Sequence, residues 1–360
     1  MLGIMTNHTT IRVGALAPLS RPGFLEAGRH LRAGVELAVT EINEAGGVDG
    51  RPLELLLRDT AGTAARAPEA VRGLVVEGAV AVVGEYHSVV AHAAAGAAVE
   101  SGLPFVCSSA VLDAVVDAPT DIVARIAPAQ SYCWRVYADF LVAAGYRHVA
   151  LVVQPDLYWS SGARVLKASL AEHGVAVSFT EFDALITDVL VADVVLLLVG
   201  YPEPAVSLVK AVRAEPRLAG VRIGDPAGRV EFPEWMALVG ELGADLPFLR
   251  YLPPRLGPLG ERVAEGLARL LGETASFVAF EGYDAVQVVA EALRIGGVDR
   301  QGVAEALGSP GLQVAGTRGT IRFSRDAGNV LQWAWPPVQV AAHRDARRPG
   351  EVGVLHQAGI

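Results

Sequence analysis

Short apolar runs and longer stretches of helical periodicity alternate along the chain. Residues 11–16 form an apolar run, and residues 53–57 place Leu at alternate positions, which predicts two strands. Between them, residues 35–42 carry apolar side chains at helical spacing, and Gly46 and Gly47 predict the end of that helix because glycine tolerates a left-handed cap. A strand, a helix and a second strand in this order predict a parallel pair with a right-handed crossover.

The same alternation continues through the rest of the sequence and predicts an α/β fold. Further strands are predicted at 79–83, 104–107, 146–153, 175–179, 193–199, 221–224 and 338–342. Further helices are predicted at 64–77, 89–101, 130–143, 162–173, 205–214, 259–271 and 277–286. Several of the strands are almost wholly apolar, which is typical of parallel strands covered on both faces.

The bulk composition limits the classes of protein that the chain could represent. Its 360 residues are enough for two domains with separate cores. Hydrophobic residues make up 52% of the chain, yet no run of about twenty apolar residues occurs without charges or turn signals. The longest candidate, 189–199, contains Asp193 and has the length of a strand. We therefore predict no membrane-spanning segment.

The net charge and the absence of catalytic motifs exclude further classes of function. A net charge of −9 argues against nucleic-acid binding, which requires a basic face. The two cysteines, Cys107 and Cys133, lack metal-binding spacing and are predicted to be buried and unlinked. No phosphate-binding loop, nucleophile elbow or zinc-protease motif is present, and His87 and His92 are five positions apart rather than four. We expect no enzyme activity, no cofactor and no metal site.

The first ten residues leave the location of the protein open. They contain no basic segment followed by an apolar core, as an export signal would. Either a signal peptide has been removed, which would imply a periplasmic or cell-surface protein, or Met1 is the natural start of a cytoplasmic protein.

Two motifs resemble a known family. Residues 41–51 read EINEAGGVDGR, and residues 59–62 read DTAG. The first motif ends a helix and the second follows the next strand, as in the type I periplasmic binding proteins that carry branched-chain amino acids, amides and urea. The resemblance extends over residues 12–340.

The resemblance implies two doubly wound parallel-sheet lobes joined by three crossover strands. The implied N-terminal lobe comprises 11–126 plus 254–333, and the implied C-terminal lobe comprises 127–253 plus 334–360. In this family the lobes close on a ligand, with the crossovers acting as the hinge.

Candidate ligand contacts in the first lobe follow its predicted strands. Ser20 lies after the first strand, where α/β sheets bind ligands. By resemblance, Tyr86 and Ser88 would contact the ligand, and Ser88 is also predicted to cap the helix 89–101. Ser109 and Ala110 match the next family loop, although Val111 replaces the threonine that amino-acid binders place there.

The second lobe supplies the remaining candidates. By resemblance, Tyr158 would cover the ligand, with Trp159 beside it in the loop 154–162; the alternative is that both rings pack under the following helix. Tyr201 follows a buried strand. Asp225 is the candidate counter-charge for a ligand ammonium, with Glu231 in reserve.

The implied function is solute binding. The first alternative is a protein that binds a small amino acid or amide and delivers it to an ABC permease. The second is a cytoplasmic amide or amino-acid sensor that acts on a partner regulator.

Overall fold

The computed structural model describes residues 10–117, 120–181, 192–324, 330–345 and 351–358. The chain divides into two compact units. Unit 1 comprises Met1–Pro128 and Leu256–Pro336, and unit 2 comprises Ala129–Arg255 and Pro337–Ile360. The chain therefore passes from one unit to the other three times. Parts of the predicted second-lobe segment 334–360 lie outside the described residues.

The strands are numbered in chain order. They are β1 (Ile11–Ala17), β2 (Leu53–Asp59), β3 (Ala81–Gly84), β4 (Phe105–Cys107), β5 (Val123–Arg125), β6 (His148–Val153), β7 (Ala176–Thr180), β8 (Val194–Leu198), β9 (Arg222–Gly224), β10 (Phe248–Arg250), β11 (Val314–Gly316), β12 (Gly319–Ile321), β13 (Phe323–Ser324), β14 (Leu331–Trp333), β15 (Gln339–His343) and β16 (Val352–Gln357).

The α-helices are numbered in the same way. They are α1 (Leu25–Glu44), α2 (Ala67–Val76), α3 (Ser88–Ser101), α4 (Gln130–Ala143), α5 (Leu157–Glu172), α6 (Ala205–Ala214), α7 (Pro233–Val239), α8 (Pro258–Leu271), α9 (Phe277–Gly296) and α10 (Arg300–Leu307).

Unit 1 is built on a seven-stranded sheet with the order β13-β14-β5-β4-β3-β1-β2. Its neighbours are parallel except for the β13–β14 pair. In β1 the side chains from Val13 to Ala17 are buried without interruption. Because successive side chains in a strand point to opposite faces, this run shows that both faces of the sheet are covered. The short strands β11 and β12 form an antiparallel pair of their own.

Unit 2 contains a four-stranded parallel sheet with the order β7-β6-β8-β9. All five residues of β8 are buried, so this sheet is also covered on both faces. The α/β prediction is confirmed, with one correction. Unit 2 also contains a three-stranded antiparallel sheet, β10-β15-β16. The hydrophobic pattern does not predict β16, because its mixed polar and apolar residues alternate only weakly.

The start of α5 differs from the prediction. The sequence predicts a loop as far as Gly162, but the helix begins at Leu157. Asp156 caps it by accepting a hydrogen bond from the backbone N–H of Trp159 at 2.8 Å. Gly162 lies inside the helix, where a Cβ atom would come within 2.0 Å of the Trp134 ring. Close packing of α5 on α4, rather than a turn, explains this glycine.

Two further observations concern the cysteines and the helices. Cys107 and Cys133 are both buried and form no disulfide, as predicted. Among the described residues, no helix combines the length and the apolar character needed to span a bilayer.

Candidate functional site

The candidate residues of unit 1 lie in loops that follow the carboxyl ends of neighbouring parallel strands. The strands β2, β1, β3 and β4 are adjacent in this order, so the loops after them meet at one edge of the sheet. The structure therefore brings together the predicted residues from three of these loops, namely Ser20, Tyr86, Ser88, Ser109 and Ala110.

Ser20 is bound to the end of β2. Its hydroxyl donates to Asp59, and the backbone N–H groups of Leu19 and Ser20 donate to the same carboxylate at 2.8 and 3.2 Å. Burial raises the pKa of Asp59, but these hydrogen bonds outweigh burial and hold it below its usual value. The hydroxyl proton of Ser20 is thus already used, and only its lone pairs remain for another group.

Glu85 lies at the centre of the loop cluster and was not predicted from the sequence. Its side chain is fully buried, and its oxygens accept the Thr60 hydroxyl at 2.7 Å and the backbone N–H groups of Tyr86 and His87 at 2.9 and 3.0 Å. Burial raises the pKa of Glu85 to about 7, against the effect of these hydrogen bonds.

His87 ties this loop to the one after β1. Its Nε2 atom accepts the backbone N–H of Phe24 at 3.1 Å. Burial lowers the pKa of His87 to about 4, so the ring is neutral at physiological pH and carries its proton on Nδ1. The half-buried Tyr86 ring packs edge-on against Phe24 and His87, with centroid distances of 5.7 and 5.2 Å.

Ser88 is not the cap of α3, as predicted, but its first residue. The residue before it, His87, makes no side-chain capping hydrogen bond. The Ser88 hydroxyl instead accepts the backbone N–H groups of Val111 and Leu112, both at 3.3 Å. Because both lone pairs are occupied, the hydroxyl proton is the part of Ser88 that can bind another group.

A buried arginine stabilises the loop after β4 through hydrogen bonds. Arg125 donates to the carbonyl oxygens of Val111 and Leu112 at 2.9 and 2.6 Å, and to Gln332 at 2.6 Å. Ser109 and Ala110 are buried in this loop.

The aromatic candidates of unit 2 lie in the first turn of α5, not in a loop. Trp159 is 7% exposed and packs on Trp134, with 6.2 Å between ring centroids. The Arg229 guanidinium lies 5.0 Å from the Trp159 ring. Trp159 therefore packs against α4 within its own unit, and its contact with a ligand remains a prediction. Tyr158 is half-buried, 4.6 Å from Trp159.

Tyr201 follows β8, as predicted. Its ring is half-buried and lies 5.9 Å from that of Trp235, and its hydroxyl donates to Glu234 at 3.4 Å. The position is compatible with ligand contact within unit 2.

Asp225 already has a counter-charge in the chain. Its carboxylate is fully buried and accepts Arg229 Nε at 2.6 Å, while Arg229 also donates to the carbonyl oxygens of Val199 and Leu197. Burial raises the pKa of Asp225 to about 6, and Arg229 limits the rise. The reserve candidate, Glu231, is paired with Arg250 at 2.9 Å. Both acids therefore have an arginine partner within unit 2. That Asp225 or Glu231 binds a ligand ammonium remains a prediction.

One group of potential metal ligands occurs among the described residues, Glu26, His30 and Glu273. His30 Nδ1 accepts the backbone N–H of Ser276 at 2.9 Å, so neutral His30 carries its proton on Nε2. That proton faces Glu273 at 2.9 Å. A protonated ring nitrogen cannot bind a metal, and the group is better described as a buried hydrogen-bond network.

Comparison with known proteins decides the family. The sequence profile of the periplasmic binding proteins matches residues 10–344. The chain belongs to the periplasmic binding protein family. Its sequence is 25% identical over 347 residues to a Leu/Ile/Val-binding protein homolog of Brucella abortus, covering 89% of this chain and 86% of the relative.

Two solved structures share the fold of this family member. A leucine binding protein from Thermotoga maritima superposes with a TM-score of 0.81 at 21% identity, over 96% of this chain and 97% of the other. A solute binding protein from R. palustris, solved with benzoate, gives a TM-score of 0.79 at 20% identity, over 98% of each chain. The family and fold implied by residues 41–51 and 59–62 are confirmed, and the chain is a solute-binding protein rather than an enzyme.

Sequence reasoning missed the charged groups beneath the loops of both units. Glu85 and Arg229 follow buried strands directly or within a few residues, and an ionisable residue in that position is a usable signal. Arg125, at the end of β5, is a third such group. The sequence pattern does not identify the three, because it does not specify in which direction their side chains point.

Proposed function

We propose that this periplasmic binding protein binds a small amino acid or amide and delivers it to an ABC permease. The observation that carries the proposal is the Ser88 hydroxyl, whose proton is left for a ligand oxygen at the first residue of α3. A helix N-terminus favours a carboxylate or carbonyl oxygen, because its first backbone N–H groups have no partner inside the helix. Tyr86 and the Ala110 backbone would complete the contacts in unit 1.

The ionic partners in unit 2 affect the range of ligands. Since Asp225 and Glu231 are both paired with arginines, recognition of the ligand's carboxylate or amide oxygen has more support than recognition of an ammonium. We therefore include aromatic acids in the set of candidate ligands, alongside aliphatic amino acids and short amides.

Titration calorimetry against such a set tests the proposal. We expect saturable binding of at least one amino acid, amide or small carboxylic acid. Ser88→Ala should weaken that binding by about 1–3 kcal/mol, the usual cost of leaving a polar partner unmatched. Ser101→Ala, at the other end of α3, is the matched control and should leave the affinity unchanged.

Two outcomes would contradict this proposal. Binding of sugars or nucleotides alone would contradict the ligand class, and unchanged affinity in Ser88→Ala would remove Ser88 from the site. A thermal melt of each variant separates loss of binding from loss of folding, because Ser88 also supports the loop at Val111 and Leu112. Tyr158→Phe and Tyr201→Phe extend the same measurement to the unit 2 candidates.

The transport role needs a test in cells. Deleting the gene should abolish uptake of the ligand found by calorimetry. Unchanged uptake would instead favour the sensor alternative, in which ligand binding alters a partner regulator.

A further inference from the structure

Glu85 is a buried acid that forms no ion pair with a basic side chain among the described residues. Its side chain is fully covered. Buried carboxyl groups are normally paired or shift their pKa, because removing a charge from water is costly. Glu85 also precedes Tyr86 and Ser88 in the loop that we propose to contact the ligand.

The hydrogen bonds of Glu85 determine the shape of that loop. One oxygen holds the backbone N–H groups of Tyr86 and His87, and the other holds Thr60 in the loop after β2. The Thr60 backbone N–H in turn donates to Ala17 at the end of β1, at 3.0 Å. A change at Glu85 therefore reaches three loops at the edge of the unit 1 sheet.

Protonation of Glu85 can leave this geometry in place. The protonated oxygen would donate to Thr60 Oγ1, which has two lone pairs and uses one for the Gly62 backbone N–H at 3.3 Å. The other Glu85 oxygen would continue to accept from Tyr86 and His87. The loop can therefore keep its shape whether or not Glu85 is charged. What changes is the electrostatic potential that Glu85 produces at the loop.

Other ionisable groups near this end of β3 do not replace Glu85 as a titrating group near neutral pH. Asp59 is ionised, and its charge adds to the rise in the pKa of Glu85. His87 is neutral, and burial raises the pKa of the Cys107 thiol to about 12. The remaining charged groups have partners of their own. Arg125 donates hydrogen bonds to the loop after β4, and Glu281 forms an ion pair with Arg318.

We propose that Glu85 is the positioning residue of the unit 1 loops and that binding of a ligand carboxylate there is linked to uptake of a proton by Glu85. The inference rests on the function proposed above. A carboxylate at the start of α3 and an ionised Glu85 are like charges in a poorly solvated region, so each disfavours the other. By linkage, a ligand carboxylate binds better when Glu85 is protonated, and its binding raises the proton affinity of Glu85.

The direction of the pH dependence follows from the chemistry. Glu85 is about half protonated near pH 7, so affinity for a carboxylate ligand should fall as the pH rises through that value. Glu85→Gln keeps an acceptor for the loop N–H groups but cannot lose a proton. Its affinity should not change with pH in this range.

The experiment measures the affinity for L-leucine, or for whichever carboxylate in the calorimetric set binds, from pH 5.5 to 8.5. For the native protein we expect a several-fold loss of affinity above pH 7, together with proton uptake seen as a buffer-dependent heat. For Glu85→Gln we expect a flat profile. Thr60→Val removes a hydrogen bond that lowers the pKa of Glu85, so it should move the midpoint to higher pH.

Each outcome decides the proposal. A flat profile in the native protein, or an unchanged slope in Glu85→Gln, would overturn the link to Glu85 while leaving the ligand class intact. Failure of every carboxylate to bind would overturn this inference, and failure of the amides as well would overturn the proposed function. If Glu85→Gln does not fold, the midpoint of Thr60→Val decides: a shift to higher pH supports the proposal, and no shift overturns it.

Discussion

At the scale of single residues, Glu85 makes folding stability depend on pH. Its pKa is about 4.5, the ordinary value for glutamate, in the unfolded chain and about 7 in the folded protein. Between these two values the folded state retains a proton that the unfolded state has lost. The free energy of unfolding must therefore decrease as the pH rises through this range.

Glu85→Gln should remove this dependence. Between pH 4.5 and 8, the native protein should lose about 2–4 kcal/mol of stability relative to the variant, since each pKa unit corresponds to roughly 1.4 kcal/mol. Urea unfolding at several pH values measures the difference. Replacing an exposed acid, Glu44→Gln, should leave the native profile unchanged. Parallel profiles for Glu85→Gln and the native protein would show that burial does not perturb Glu85.

The candidate residues differ in how far the sequence could identify them. Tyr86 and Ser88 are identified by resemblance to a family loop, which follows an apolar strand, and strand ends form the binding edge of such sheets. Asp225 follows a strand as well, but the chain contains its own counter-charge four residues later, at Arg229. A pairing of this kind depends on side-chain direction, which the sequence pattern does not specify.

At the scale of elements, the contact between α1 and α9 depends on two glycines. A Cβ atom on Gly34 would lie 1.9 Å from the carbonyl oxygen of Ala279, and one on Gly282 would lie 2.7 Å from that of Leu31. Glycine on each helix therefore lets the two backbones approach closely. Periodicity predicted both helices, but only their packing explains why these positions lack a side chain.

Gly34→Ala should consequently destabilise unit 1. We expect a loss of at least about 1–3 kcal/mol in the free energy of unfolding, because the added methyl group meets backbone rather than a flexible side chain. Gly96→Ala is the control: it lies on an exposed face of α3 with nothing near a Cβ atom, and should stabilise by roughly 0.5–1 kcal/mol. Equal effects of the two substitutions in urea unfolding would contradict the packing argument.

At the scale of the whole molecule, each unit has a core of its own. The core of unit 2 includes Leu208 in α6, whose side chain is fully buried among residues of the same unit. A cavity made there should therefore act first on unit 2, because most neighbours that lose contacts belong to it.

Leu208→Ala tests this separation. The substitution should cost about 2–5 kcal/mol, the range for deleting a buried leucine side chain. Hydrogen exchange should then show faster opening at Ala129–Arg255 and Pro337–Ile360, with little change in unit 1. An equal loss of protection in both units would show that they open as a single cooperative body.

The sequence by itself determined the α/β class and most of the helices and strands, because these follow from local periodicity and from glycines with required backbone shapes. Residues 41–51 and 59–62 indicated the family by resemblance. The sequence also indicated the loops at strand ends where a ligand would bind. Only the tertiary structure decided which side chains in those loops are occupied, buried or charged. The physical reason is that partners such as Glu85 and Thr60, or Arg125 and Gln332, are distant in the chain and meet only when the sheet forms.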